Sequence, residues 1–302
     1  MPSLRQRLVA MLLRRYPLYS GAGTLANSKF VTTLAGTSHE NIWCPTVGGG
    51  EVLAPLNDYI GRAAYYCGDL DPKVSWVCKR IVKRGDTVCD IGANIGIVTM
   101  LMSHLVGDLG SVFSFEPNPA CYNSLVAAVA RNRITNVHPQ QLALGSRNES
   151  RYLSIPTENA GAASLNETAS RTVDRTIQVT VRTLDDFVTA YGIKSVRFMK
   201  IDVEGFESEV LRGGHQMLDL IRPQAILFEM NQRSDGPLIQ HPVFSTLDRF
   251  EYAFLSLPKG MLKVRPQAFD PNVATSIPGH DVLALAKGPS FEPAIAALRA
   301  TI

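Results

Sequence analysis

The stretch that decides the fold reads Val88-Cys89-Asp90-Ile91-Gly92-Ala93-Asn94-Ile95-Gly96. Its apolar beginning predicts a short buried strand over residues 87–90, and residues 95–105 have the length and apolar content of a helix. Gly92 and Gly96 allow the backbone to turn sharply between the two elements and a ligand to approach closely. A strand, a glycine-bearing turn and a helix in this order are typical of an α/β sheet.

Strands and helices continue to alternate on both sides of this stretch. The sequence predicts strands at residues 111–116, 137–144, 196–203 and 225–230, and helices at residues 74–82, 119–132, 184–191 and 206–213. Two later strand candidates, residues 252–257 and 281–286, fit an antiparallel edge. The pattern predicts a doubly wound, mostly parallel sheet, in which ligands bind at the carboxyl ends of the strands.

Composition excludes several classes of protein. Apolar residues make up 45% of the 302 residues, charged residues 19%, and the net charge is +3. A disordered chain is excluded, and so small a positive charge does not favour nucleic-acid binding. The five cysteines form no CxxC pair, which favours a reducing compartment, and we expect a cytoplasmic protein. No run approaches the roughly 18 apolar residues of a membrane-spanning helix.

Residues 1–70 differ in character from residues 71–302, which we expect to form the main domain. The first residues mix arginines with leucines and predict an amphipathic helix, and the glycine run Gly48-Gly49-Gly50 predicts a small β hairpin. We expect this N-terminal extension to contact an acceptor or a second copy in a homo-oligomer. Two interpretations of the helix stay open: it packs on its own domain or a partner copy, or it lies on a membrane surface.

Two carboxylates follow the predicted strands at the positions where a ligand would bind. Asp90 stands where a dinucleotide fingerprint has its first glycine, so a pyrophosphate is disfavoured and a cationic amino-acid-like group is favoured. Glu116 ends the next strand, where a carboxylate accepts hydrogen bonds from ribose hydroxyls. A nucleoside with a cationic amino-acid tail describes S-adenosylmethionine. The alternative is structural, with Asp90 as a helix cap and Glu116 as a solvated strand end.

Three segments in the same order resemble the FkbM family of methyltransferases. They are residues 88–96, Phe115-Glu116-Pro117-Asn118-Pro119, and Met199-Lys200-Ile201-Asp202-Val203-Glu204-Gly205-Phe206-Glu207, which Val210-Leu211-Arg212-Gly213-Gly214 extends. The similarity covers about residues 60–290. It implies a Rossmann-like class I methyltransferase fold with a seven-stranded sheet and S-adenosylmethionine as the methyl donor. The implied acceptor is a hydroxyl of a sugar, a glycolipid or a polyketide-type natural product.

The resemblance also implies which residues surround the donor. The methionine portion is expected beside Asp90, Gly92, Ala93, Asn94 and Gly96, the ribose at Glu116, the adenosine near Asn118, and the adenine beside Gln141, Leu142 and Ala143. Many class I enzymes carry an aspartate near the adenine amino group. This chain has Gln141 at that position instead.

Lys200, Asp202 and Glu204 alternate along the predicted strand 196–203 and its exit. Residues two apart share one face of a strand, so all three are expected to face one cavity. We predict Asp202 to position donor or acceptor and to contact the cofactor, and Glu204, or else Asp202, to act as general base for an acceptor hydroxyl. The alternative is an ion cluster that only braces the strand.

Several other assignments stay open at this point. Glu229 and Asn231 either complete an oxygen-ligand Mg²⁺ site with Asp202 or line the acceptor pocket, and we assign no metal. Tyr65 and Tyr66 either stack on a sugar or belong to the core. The expected partner is a small-molecule or carbohydrate acceptor, with no nucleic acid. The competing functions are a nicotinamide-dependent oxidoreductase and a non-catalytic partner protein that binds S-adenosylmethionine.

Overall fold

The computed structural model describes residues 2–15, 19–156, 162–165, 175–230, 236–258, 260 and 262–299. Its helices are α1 Leu4–Leu13, α2 Ala22–Ala26, α3 Lys29–Ala35, α4 Tyr59–Cys67, α5 Pro72–Ile81, α6 Ile97–Val106, α7 Pro119–Arg131, α8 Leu184–Ala190, α9 Glu207–Arg212, α10 His215–Leu220, α11 Pro242–Arg249 and α12 Phe291–Arg299. Its strands are β1 Asn41–Pro45, β2 Glu51–Pro55, β3 Thr87–Ile91, β4 Ser111–Phe115, β5 Val137–Gln140, β6 Ala143–Leu144, β7 Glu149–Ile155, β8 Arg175–Arg182, β9 Phe198–Ile201, β10 Ala225–Glu229, β11 Tyr252–Leu257, β12 Gln267–Phe269 and β13 Asp281–Ala286.

The main sheet has the strand order β12-β11-β13-β10-β9-β3-β4-β5. Strands β5, β4, β3, β9 and β10 run parallel, and β13 runs antiparallel to both of its neighbours, β10 and β11. The predicted mostly parallel α/β sheet is therefore confirmed. The two later strands pair antiparallel on one edge side of the sheet, as expected, with β13 between β10 and β11, and β12 adds an outermost strand to the seven that were expected.

The predicted strand at residues 137–144 is in fact two strands in different sheets. β5 is the edge strand of the main sheet, and it contains Pro139, which has no N–H to give to a further neighbour. The chain then leaves the sheet, and β6 pairs with β8 in a three-stranded sheet that also includes β7. Leu153, Val179 and Val181 of this small sheet pack with Phe206, which brings it over the carboxyl ends of the main strands.

The N-terminal residues form the predicted hairpin and pack against one flank of the main sheet's helices. β1 pairs with β2 in an antiparallel register, from Asn41 opposite Pro55 onward. Helix α4 lies so close to β2 that a Cβ at Gly61 would come within 1.9 Å of the Pro55 carbonyl oxygen. The apolar cluster of this unit continues through Met100 and Leu125 of α6 and α7. The packing fixes α4 beside the ends of the main strands.

All five cysteines are buried and none forms a disulfide. In the described ranges, no helix combines the length and the apolar character that crossing a membrane requires.

Candidate functional site

A cavity lies at the carboxyl ends of β3, β4 and β9, where the strand order of the sheet reverses. It holds about 990 Å³ of empty space, its open mouth included. The turn after β3 forms its floor. Gly92 in this turn has φ 80°, and a Cβ there would lie 1.9 Å from the Asp202 carbonyl oxygen. Only glycine tolerates both this φ and this approach. The glycine therefore allows the exits of β3 and β9 to meet.

Backbone groups hold the turn in place. The N–H groups of Gly92 and Ala93 both donate to the Phe115 carbonyl at the end of β4, at 3.0 Å. Asn94 has φ 49°, in the left-handed region. Gly96 has φ 94° and immediately precedes α6, where a Cβ would lie 2.7 Å from the Leu125 side chain. Gly92, Ala93 and Asn94 line the cavity, as the sequence predicted, whereas Gly96 does not.

Glu116 faces the cavity from the end of β4 and is anchored through both carboxylate oxygens. Oε2 accepts a hydrogen bond from the Asn94 N–H and Oε1 one from the Asn118 N–H, each at 2.8 Å. Each oxygen keeps a second lone pair for a ligand. Burial raises the pKa of Glu116 to about 7, against the opposing effect of the two N–H donors. The site thus presents a fixed double acceptor whose charge changes near neutral pH.

An apolar slot adjoins Glu116. Its walls are Phe115, Leu142, Ala143, Leu144, Leu153, Ala163, Leu165 and Phe206. Of the residues predicted to flank an adenine ring, Leu142 and Ala143 lie in this slot, whereas Gln141 is exposed and lies outside it. Asn118 also lies outside the lining, because its side chain caps α7 by accepting the Ala120 N–H. Its backbone N–H nonetheless holds Glu116.

Lys200 connects the two strands at the reversal point. Its ammonium is buried, donates to the Gly92 carbonyl at 2.8 Å, and lies 3.2 Å from Asp202 and 3.6 Å from Asp90. Burial alone would lower the pKa of Lys200, but the two carboxylates outweigh burial and raise it. Asp202 keeps 39% of its side chain exposed and lines the cavity.

Asp90 does not line the cavity, although the sequence predicted a contact with the cofactor. Its side chain is fully buried beneath the turn, where Oδ2 accepts the Thr99 hydroxyl at 2.6 Å and Oδ1 faces Lys200. The Thr99 hydroxyl also lies 3.2 Å from that of Ser114. Asp90 therefore supports the site through Lys200 and through the start of α6, from below the cavity.

A second cavity opens directly beside the first and holds about 1870 Å³, open solvent included. The two share Ile60, Leu70, Asp71, Val74, Lys200 and Asp202. The second extends between α2, α4 and the ends of β9 and β10, and it includes Glu204 and Glu229. A ligand in each cavity would meet the other at Asp202.

The second cavity contains a charged cluster that the sequence analysis missed. Lys73 of α5 is buried, contacts Asp281 at the start of β13, and lies 3.5 Å from Asp71. Burial, and next the Asp281 carboxylate, raise the pKa of Asp71 to about 6. Lys73 and Asp281 are 208 positions apart, so no local pattern predicted their contact. The one local signal was Asp71-Pro72, which is typical of a helix start.

Glu207 holds the turn that carries Glu204. Its Oε1 accepts the N–H groups of Val203 and Gly205, at 3.3 Å and 3.2 Å, while Glu204 between them has φ 52°. Burial raises the pKa of Glu207 to about 7. The sequence included this residue in a motif without assigning it a role, and its role in the structure is to shape this turn.

The remaining candidates lie apart from both cavities or outside the described residues. Tyr65 and Tyr66 are buried in the N-terminal core and line neither cavity. Asn231 is outside the described residues. In the part of the chain that the structure covers, no three His, Cys, Asp or Glu side chains form a metal-binding group.

Comparison with known proteins identifies similar sequences. A family model described as "Methyltransferase FkbM domain" matches residues 90–252. "Methyltransferase 1" of Beauveria bassiana is 28% identical over 42% of this chain and 57% of its own length. The "31-O-demethyl-FK506 methyltransferase FkbM" of Streptomyces tacrolimicus is 28% identical over 44% of this chain and 60% of its own length. The chain thus spans about three fifths of the length of these curated relatives.

The solved structures that the chain matches include a methyltransferase FkbM from Methylobacillus flagellatus. It has 13% identity and a TM-score of 0.40, covering 66% of this chain and 43% of that one. A fibrillarin from Aeropyrum pernix with bound S-adenosyl-L-methionine has 16% identity and a TM-score of 0.38, covering 68% of each chain.

The Lys200–Asp90 pair yields a stability prediction. Lys200→Met leaves the buried Asp90 carboxylate without its counter-ion, so we expect the free energy of unfolding at neutral pH to fall by about 3–5 kcal/mol. Adding Asp90→Asn to Lys200→Met removes the unpaired charge and should recover most of the lost stability. Urea denaturation measures both, with the exposed Lys83→Met as the control. A loss in Lys200→Met no larger than in the control contradicts the role of the pair.

Proposed function

The chain belongs to the FkbM methyltransferase family, whose model matches more than half of it, and on that premise we propose that it transfers a methyl group from S-adenosylmethionine to a hydroxyl oxygen. The acceptor we propose is a sugar, a glycolipid or a polyketide-type natural product, as the resemblance implies. Neither an oxidoreductase nor a non-catalytic partner protein is favoured by the family. The cysteine usage supports a cytoplasmic location.

One observation carries the proposal: Glu116 is anchored at the end of β4, beside an apolar slot and three residues before the start of α7. A ribose diol supplies two hydroxyl donors, which match the two carboxylate oxygens. A flat, apolar adenine ring matches the slot that Leu142 and Ala143 line. The exposed carboxylate of Asp202 supports the binding of a cationic tail. These residues fit S-adenosylmethionine, and we assign the first cavity to it.

We assign the second cavity to the acceptor, because it meets the first at Asp202 and Lys200. S-adenosylmethionine supplies a methyl group attached to a positively charged sulfur when it is bound. The protein then has two tasks: to hold the acceptor's hydroxyl oxygen in line with that methyl group, and to take up the proton of that hydroxyl. The rigid turn at Gly92 and the Lys200 ion pair support the first task, since they fix the wall between the cavities.

Two carboxylates remain candidates for the second task. Glu204 lines only the acceptor cavity, whereas Asp202 lines both and is paired with Lys200. A general base has to reach the acceptor hydroxyl, whereas a carboxylate held by Lys200 where the two cavities meet is placed to contact both ligands. We therefore propose Glu204 as the general base and Asp202 as the residue that positions the two ligands. Lys73 and Asp281 contribute polar groups to the acceptor wall.

The donor site is tested by binding of S-adenosylhomocysteine. Glu116→Ala removes two hydrogen bonds to a charged group, so we expect the affinity to fall roughly a hundredfold, or about 3 kcal/mol. Isothermal titration calorimetry measures it, with Glu251→Gln, at a carboxylate that is 71% exposed, as the control. NADH is titrated in parallel. Wild-type binding of NADH without S-adenosylhomocysteine, or unchanged affinity in Glu116→Ala, contradicts the proposal.

The same complex should depend on pH. Ribose hydroxyls donate to the ionised Glu116, and burial raises the pKa of that carboxyl to about 7. Ligand binding therefore favours deprotonation, and the affinity for S-adenosylhomocysteine should rise with pH through about 7. Below that value we expect a loss of up to roughly tenfold per pH unit. Glu116→Gln, which cannot ionise, should show a flat profile. A flat wild-type profile contradicts this assignment of the ribose contact.

Turnover separates the two carboxylates. We expect Glu204→Gln to lower kcat by about 10²–10⁴-fold with little change in S-adenosylhomocysteine affinity, because a general base acts only in the transition state. Asp202→Asn should weaken donor binding as well as turnover. The assay follows formation of S-adenosylhomocysteine with a panel of hydroxylated acceptors, and Glu251→Gln is again the control. Full turnover in both amide variants excludes a carboxylate base.

A further inference from the structure

Helix α1 exposes four large apolar side chains, while Val9 and Leu13 pack on the core of its own chain. Leu4, Leu8, Met11 and Leu12 are between 48% and 73% exposed. Their spacing places them on one face of the helix. The opposite face packs inward through Gln6 and Ala10. The four exposed side chains therefore make no contribution to the core of their own chain.

Helix α3 packs against α1 and shows the same feature. Phe30 is 68% exposed and Leu34, one turn later, is 46% exposed, while Val31 and Ala35 face inward. Two neighbouring helices thus expose six large apolar side chains. We call these six residues, Leu4, Leu8, Met11, Leu12, Phe30 and Leu34, the N-terminal apolar face. Scattered exposed apolar residues are ordinary, but a set concentrated on two packed helices indicates a binding surface.

The segment that carries this face contains basic residues and no acidic residue. Residues 1–39 contain five of the 30 lysines and arginines and none of the 27 acidic residues, so the rest of the chain carries a net negative charge. Arg5, Arg7, Arg15 and Lys29 are exposed. Arg14 points inward and donates to the carbonyl oxygens of Tyr65 and Pro45. The exposed positive charges accompany the apolar residues on the same two helices.

We propose that α1 and α3 dock this protein on an anionic lipid surface, with the N-terminal apolar face entering the headgroup region and the basic residues contacting lipid phosphates. An apolar face with basic residues at its sides is the arrangement of an interfacial helix. A second copy fits less well. A twofold interface brings the same surfaces together, and here it would oppose arginines to arginines with no acidic residue from residues 1–39 to pair with them.

The position of this face bears on the acceptor cavity. Ser20, Gly21, Gly23, Thr24 and Leu25, together with Ser28 at the start of α3, form one wall of that cavity. Docking through α1 and α3 would hold this wall close to the lipid surface. A hydroxylated acceptor carried on a lipid could then enter without leaving the membrane. This consequence rests on the proposed function, whereas docking itself does not.

Sedimentation with vesicles tests the docking. The full chain is mixed with vesicles of phosphatidylcholine alone or of phosphatidylcholine with phosphatidylglycerol. We expect binding to the anionic vesicles only, weakened by added salt. Leu8→Ser/Leu12→Ser should lower the binding at least roughly tenfold, and each of Arg5→Gln and Arg15→Gln roughly fivefold. The matched control is Leu109→Ser/Leu220→Ser, at two leucines that are 87% and 79% exposed elsewhere on the surface.

Three results would overturn the proposal. They are no binding of the wild-type chain to anionic vesicles, equal binding to neutral vesicles, and an equal loss in the control variant. Size-exclusion chromatography gives a fourth: a wild-type dimer that Leu8→Ser/Leu12→Ser dissociates shows that a second copy covers the face. Because the four leucines are exposed, all variants should stay folded. Titration of the Leu8→Ser/Leu12→Ser variant with S-adenosylhomocysteine separates a failure of docking from a failure of the donor site.

Discussion

The site depends on the contacts that the buried Lys200 ammonium makes. The ammonium donates a hydrogen bond to the carbonyl of Gly92, the residue after β3, and lies between the carboxylates of Asp90 and Asp202. A charge in this position is tolerated only because it is paired and hydrogen-bonded on several sides. The arrangement joins β3 and β9 at the point where the strand order of the sheet reverses. Both cavities begin at this junction.

The carboxylates around the junction differ because their surroundings differ. Glu116 is anchored by two backbone N–H groups yet buried, so its pKa lies near neutrality. Asp202 remains partly exposed and ion-paired, and Asp90 is enclosed below the turn. We propose that residues of one chemical type serve three tasks here: Glu116 accepts hydrogen bonds from a ligand, Asp202 positions ligands where the cavities meet, and Asp90 supports the floor. The three carboxylates differ in burial and in neighbouring charge, and these differences suit each of them to a different task.

The N-terminal helices and hairpin supply one wall of the second cavity and an exposed apolar surface. The close packing of α4 on β2 at Gly61 and the apolar core shared with α6 and α7 attach this unit beside the strand ends. Its segment around α2 then closes one side of the second cavity. The same unit leaves its largest apolar side chains in solvent next to basic residues. The packing of this unit on α6 and α7 therefore shapes the second cavity and also positions the N-terminal apolar face.

The sequence by itself determined the alternating α/β pattern, the glycine turn after β3, the acid at the end of β4 and the family, because strand and helix periods and turn glycines are local properties. It also predicted that Lys200 and Asp202 share a site. Only the tertiary structure decided that Asp90 lies beneath the cavity, that β13 enters the sheet between β10 and β11, and that Lys73 meets Asp281. Those features depend on contacts between residues far apart in the chain, which no local pattern records.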